Sequence, residues 1–320
     1  MKFSIIPQEY IDAYSEYLSA MDRGSGQNLA CLSMFDSYCS RTWPGETRLT
    51  QEMVDKWCAQ RPTEKNNSTR SRIFPIIEFI RYLRERGLTD LEDPEIPKAM
   101  PRNYIPYSFD NAELSEFFKA CDSYEVNLKR KKDKNLKLTI PVFFRLLYSS
   151  GIRTTEARLL RRTDADLDAG VLNIRKSKGH SQHFVVLHDS ILPLMRWYDS
   201  IMENLYPGRE YFFPVDKGRG RSTVWVWKTF NKIWGHISEN HATAYDLRHN
   251  YAIENINRWT EQGFDFFDKL VYLSKSMGHS TIENTRYYYS LVPSMSSLLK
   301  DKTEAGFDDI IPEVDYEESE

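Results

Sequence analysis

Two arginines and a run of tyrosines carry the chemistry legible in this chain of 320 residues. Arg153 lies in "SSGIRTTEARLL", just behind a glycine break, and Arg248 lies in "TAYDLRHNYA", inside the apolar run Ala244, Leu247, Tyr251 and Ala252. An arginine among apolar residues is expensive unless its charge is paired. Two semi-buried guanidiniums make a fork-shaped site for one phosphate, because they bind its oxygens bidentately and cannot lose their charge. The competing reading is a pair of structural salt bridges, for example Arg153 with Glu156. A nucleophile is offered by "IENTRYYYSL", where Tyr287, Tyr288 and Tyr289 stand in a row. In a helix neighbouring residues sit about 100° apart, so at most one of the three phenols faces a given substrate atom. Neither GxxxxGK[ST] nor a strand-linked GxGxxG is present, so nucleotide-driven chemistry has no support.

The elements that must position these residues are mostly helical. Residues 7 to 88 carry four helical patterns, "PQEYIDAYSEYLSAM", "NLACLSMFDSYCS", "TQEMVDKWCAQ" and "STRSRIFPIIEFIRYLRERG", with Thr50 and Ser68 as helix caps. Pro94, Pro97, Pro101 and Pro106 then mark a linker, too proline-rich for a helix or a central strand. Asp110 with Glu113 reads as a capping box that opens the next helix. "VLNIRKS" and "HFVVLH" around Gly179 read as a β-hairpin, and helices dominate from there to about Lys300. A zinc site from His180, His183 and His188 is disfavoured, because alternation along a strand turns His183 away from the other two. The Trp225, Trp227 and Trp234 cluster reads as core.

Charge and cysteines bound the partners. Residues 301 to 320 hold nine acidic residues and one lysine (−8), leaving 42 basic against 37 acidic residues (+5) in residues 1 to 300. A mildly basic body permits a polyanion partner, and the acidic end reads as a flexible tail. Cys31, Cys39, Cys58 and Cys121 form no CxxC pair and read as buried, reduced thiols. The opening residues resemble neither a signal peptide nor a membrane span, so the expected location is the cytoplasm.

Together, "GIRTTEARLL", "SKGH", "YDLRHNYA" and "MGHSTIENTRYYYS" resemble the catalytic domain of tyrosine recombinases, the phage-integrase family, from residue 109 to about 300. The resemblance implies a mainly α fold with a small β-sheet: an N-terminal helical, SAM-like core-binding domain (1–93), a linker (94–108), a mixed α/β catalytic domain (109–300) and the acidic tail (301–320). It implies that Arg153 and Arg248 grip the scissile phosphate, with Glu156 orienting the first of them. Lys178 would protonate the leaving 5′ oxygen, His279 would hydrogen-bond the phosphate, and Tyr288, nine residues past His279, would attack. Tyr289 falls on the apolar stripe and Tyr287 on a third face. The pattern is broken at Tyr245, where the family has histidine: a phenol of pKa about 10 accepts protons poorly beside an imidazole of about 6.5. His241 and His249 lie off the family spacing and read as structural or surface residues.

No metal or other cofactor is implied. The implied partners are double-stranded DNA, further copies of the chain in a tetramer on DNA, and accessory DNA-bending proteins. Arg70, Arg72, Arg175 and Lys176 are candidate DNA contacts, as are the basic run from Lys129 to Lys137 and the loop with Arg219 and Arg221. The function implied is site-specific recombination, such as integration or excision of a mobile element. A type IB topoisomerase, or a DNA-binding regulator with a weakened site, are the alternatives.

Overall fold

A computed structural model describes residues 3–21, 23, 26–101, 104–126, 130–175, 182–259, 265–279, 281, 282, 284, 285 and 288. The chain divides into two compact units, Met1–Tyr104 and Ile105–Glu320.

The first unit contains α1 (Gln8–Ala20), α2 (Gly26–Thr42), α3 (Gln51–Cys58) and α4 (Asn66–Arg84). Thr50 caps α3, its hydroxyl accepting from the Met53 amide at 3.4 Å. Ile73, Ile76, Ile77 and Ile80 form the buried stripe of α4. That helix begins earlier than its sequence suggests: Lys65 is the N-cap, without a side-chain bond, and Ser68 lies in the first turn. Asp36, buried in α2, accepts from the backbone amides of Ser4, Ile5 and Ile6 at 2.7–2.9 Å, which ties the N-terminal segment to the bundle. Residues 89–101 are irregular, yet α4 holds them. Asn66 donates to the Lys98 carbonyl (3.0 Å), Asn67 bonds the Met100 backbone both ways (2.7 and 2.9 Å), and Arg70 donates to the Pro97 carbonyl (2.7 Å). Side chains here supply the partners that a proline-rich backbone cannot find in a helix or sheet.

The second unit opens with α5 (Asn111–Asp122), and the Asp110–Glu113 capping box forms in both directions (2.7 and 3.1 Å). There follow α6 (Lys131–Ser150), α7 (Thr154–Arg158), a 3-10 turn (Arg162–Asp164), β1 (Ala165–Asp166), β2 (Val171–Ile174), β3 (His183–Val186) and α8 (Leu192–Leu205). After these come β4 (Pro214–Asp216), β5 (Arg219–Gly220), α9 (Thr223–Trp234), α10 (Asp246–Trp259) and α11 (Asp265–Ser276). The hairpin is β2 and β3, paired Leu172 to Val185 and Ile174 to His183, and β1 adds a third antiparallel strand. Leu172 and Val185 face the core while Phe184 and Val186 face outward, as the two-residue period requires.

The main core packs Phe117, Phe143, Phe144, Phe230 and Trp234 around these elements. A smaller cluster between α10 and α11 holds Ala252, Ile256, Leu273, Met277 and Tyr288. Three sequence readings change here. Trp227 points outward, 58% exposed, while Trp234 is buried. Arg221 is no surface contact: it is buried and donates from one guanidinium nitrogen to Asn135 (2.5 Å) and Thr139 (3.2 Å), both residues of α6. Cys31 is half-buried, whereas Cys39, Cys58 and Cys121 are buried, all as free thiols. No described helix is long and apolar enough to cross a membrane.

Candidate active site

The turn at Met277–His279 gathers the two arginines. Arg153, the N-cap residue of α7, donates from one guanidinium nitrogen to the Gly278 carbonyl (2.6 Å) and from another to Glu156 (2.6 Å). The Glu156 carboxylate also accepts from the Arg153 amide (2.9 Å), so it caps α7 and fixes the arginine at once. Arg248, 1% exposed on α10, donates to the Gly151 carbonyl (2.5 Å), the Met277 carbonyl (2.8 Å) and His279 Nε2 (3.0 Å). A guanidinium only donates, so His279 Nε2 is the acceptor and Nδ1 carries the hydrogen given to Thr285 Oγ1 (2.7 Å). Both arginines thus take neutral acceptors, apart from Glu156, and keep a net positive charge in the site.

Two glycines make this approach possible. Gly151 ends α6 at φ 62°, and a Cβ there would lie 2.3 Å from the Tyr251 ring. Gly278 has φ 62° and lies under His183 of β3, whose ring would be 2.4 Å from an added Cβ. Any other residue would combine an unfavourable left-handed backbone with a clash. His183 also sits 4.0 Å from Glu156. The hairpin therefore reaches the site through His183, and the segments that carry Arg153, Arg248 and His279 meet around one turn, while "SKGH" lies outside the described residues.

Burial, together with Arg248 and Arg153, holds His279 down at about 3, so its ring is neutral at pH 7. Burial lowers Arg248 from its usual value as well, although an arginine has ample margin to stay charged. Tyr288 is 3% exposed, its ring stacked 6.2 Å from that of His279 and its hydroxyl 2.9 Å from His249 Nδ1. Tyr245 is 38% exposed, with its ring 5.9 Å from the Arg248 guanidinium carbon and edge-on to His249 at 4.9 Å.

Arg153, Glu156, Arg248, His279 and Tyr288 are therefore brought together, with Tyr245 at the rim. Lys178 and Lys176 lie outside the described residues, as do His180, Tyr287 and Tyr289. Arg175 is bound bidentately to Asp164 (2.6 and 2.7 Å). Arg70 lies over Phe74 at 4.8 Å, and Arg72 is enclosed by Glu64 (2.7 Å) and the carbonyls of Trp57 and Ala59. A DNA role for Arg72 requires breaking that network. His188 bonds Ser190 (2.8 Å), and no described group of three His, Cys, Asp or Glu side chains can hold a metal ion. His249 and His183 are the site residues that sequence spacing passed over. The available signal was helical: His249 is one turn after Tyr245 and so shares its face.

The phage integrase family model matches residues 108–294, from the approach to α5 to beyond Tyr288. The chain belongs to that family, the tyrosine recombinases. It is 25% identical over 292 residues to the tyrosine recombinase XerA of Thermococcus kodakarensis, spanning 88% of this chain and 90% of that relative. Among solved structures, XerH bound to its difH substrate in a pre-cleavage complex superposes with a TM-score of 0.56 at 16% identity, covering 93% of this chain and 90% of the other. A lambda integrase dimer bound to a COC′ core site gives 0.54 at 15% identity, covering 88% and 94%. These structures place the mainly helical fold with its small sheets among tyrosine recombinases.

Proposed function

We propose that this recombinase cleaves and rejoins double-stranded DNA through a 3′-phosphotyrosine on Tyr288. The observation that carries the reading is the convergence of both guanidiniums and His279 on the 277–279 turn, beside a buried tyrosine. In the proposed step the Tyr288 oxygen attacks phosphorus and the P–O5′ bond breaks. The 5′ oxygen leaves with a proton from Lys178, and Arg153 and Arg248 stabilise the charge of the pentavalent transition state. The phosphotyrosine conserves the ester bond, so rejoining needs neither ATP nor a metal.

Tyr245 leaves the arginine and histidine framework intact, which favours an active enzyme over a disabled regulator. Phe184, Val186 and Tyr272 form an exposed apolar border around a groove between β3 and α11. That border supports self-association on DNA. Integration or excision of a mobile element is the biological setting we propose. The helical first unit would act as the core-binding domain, with Arg70 as a candidate backbone contact.

Nicked suicide duplexes tiled across the DNA flanking its own gene test the reading. With EDTA present and ATP absent, a detergent-resistant protein–DNA adduct is expected on at least one duplex. Tight binding without an adduct on any bound duplex would overturn the enzyme reading.

A further inference from the structure

His249 is a buried imidazole in contact with the atom that the proposed reaction uses as nucleophile. Its Nδ1 lies 2.9 Å from Tyr288 Oη, and the two side chains are 8% and 3% exposed. The other histidine beside Tyr288 is committed at both nitrogens: His279 Nε2 accepts from Arg248, and Nδ1 donates to Thr285. The Tyr245 ring, edge-on at 4.9 Å, fixes the His249 ring plane.

We propose that His249 is the proton acceptor for Tyr288, taking the phenolic hydrogen on Nδ1 as Oη closes on the scissile phosphorus. This inference rests on the recombinase reading of Tyr288 given above. The Oη–H bond breaks as the Oη–P bond forms, and His249 becomes an imidazolium. The P–O5′ bond breaks in the same step, its electron pair leaving on the 5′ oxygen, which the general acid protonates. On rejoining, the imidazolium returns its proton to the departing Oη.

The surroundings suit that role. On its own helix, His249 is faced by Asp246, which raises its proton affinity, and by Arg248, which lowers it. Tyr245 stands before the helix, and Tyr288 and His279 face it from beyond α11. Burial is the largest influence and holds the ring at about 4, so it is neutral and able to accept at pH 7. An anionic phosphate entering beside it would raise its proton affinity, so the base gains strength as the substrate arrives.

The test is single-turnover adduct formation on a nicked suicide duplex, from pH 6 to 9, by the wild type, His249→Ala and His249→Asn. Asparagine retains a hydrogen-bonding group near the Nδ1 position without a basic nitrogen. Both variants should bind the duplex as the wild type does and cleave it about 10²–10⁴-fold more slowly at pH 7. Their rates should climb about tenfold per pH unit, as ionisation of the phenol replaces the lost base, while the wild-type profile is flatter. A duplex with a 5′-bridging phosphorothiolate should leave the defect in place, because a thiolate departs without a proton. Wild-type rates in either variant, slow cleavage with an unchanged pH profile, or recovery on the phosphorothiolate would each overturn the assignment while leaving the recombinase reading intact. Absence of an adduct from the wild type would overturn both.

Discussion

Tyr288→Phe is expected to abolish the covalent adduct while DNA binding persists. The change removes one oxygen, and with it the 2.9 Å contact to His249. The ring stays in place among Ala252, Ile256, Leu273 and Met277, so the α10–α11 cluster remains packed. The cost to stability should be small, on the order of 1 kcal/mol for one hydrogen bond. Cleavage has no such tolerance, because without Oη no phosphoryl ester can form. Gel-shift affinity within a few-fold of the wild type, together with no detergent-resistant band, is the expected pair of results. A persistent adduct would move the nucleophile to another residue.

The second large effect is expected from Arg248→Lys. Arg248 spans three acceptors on two segments: the Gly151 carbonyl at the end of α6, and the Met277 carbonyl and His279 ring in the turn after α11. A lysine keeps the charge, but its three donors share one nitrogen and cannot span acceptors in a planar fork. Orphaned carbonyls should then cost about 1–3 kcal/mol each, lowering the melting temperature. If the guanidinium also binds the phosphate in the transition state, adduct formation should fall by about 10²–10³-fold, as for loss of one preorganised donor. Measuring single-turnover cleavage well below the variant's melting temperature separates the two effects. Wild-type cleavage in a destabilised variant would make Arg248 a purely structural tie.

What the sequence revealed was local. The capping box at Asp110, the cap at Thr50, the helical stripe of α4 and the antiparallel pairing of β2 with β3 all follow from patterns a few residues long, and they form, with strands shorter than read and the turn around Gly179 outside the described residues. Arg248 in an apolar run announced a buried charge because its cost is visible without any partner. What was not legible depends on residues far apart in the chain. Arg221 looks like a surface residue until Asn135, 86 positions earlier, is placed against it. The proline-rich segment looks free until Asn66, Asn67 and Arg70 of α4 take its backbone. His249 sits next to Arg248 in sequence, but its partner Tyr288 lies 39 residues on, and no local period connects them. The break at Tyr245 drew attention to a missing imidazole, whereas the imidazole that reaches the nucleophile stands four residues later, in the first turn of α10.

Which of the three adjacent tyrosines forms the ester decides the mechanism. Trapping the adduct on a suicide duplex, digesting protein and DNA, and locating the residual nucleotide by mass spectrometry measures this directly. The mass of a 3′-linked nucleotide phosphate is predicted on Tyr288 alone. Its appearance on Tyr287 or Tyr289 would contradict the site built around His249, Arg248 and the Met277–His279 turn.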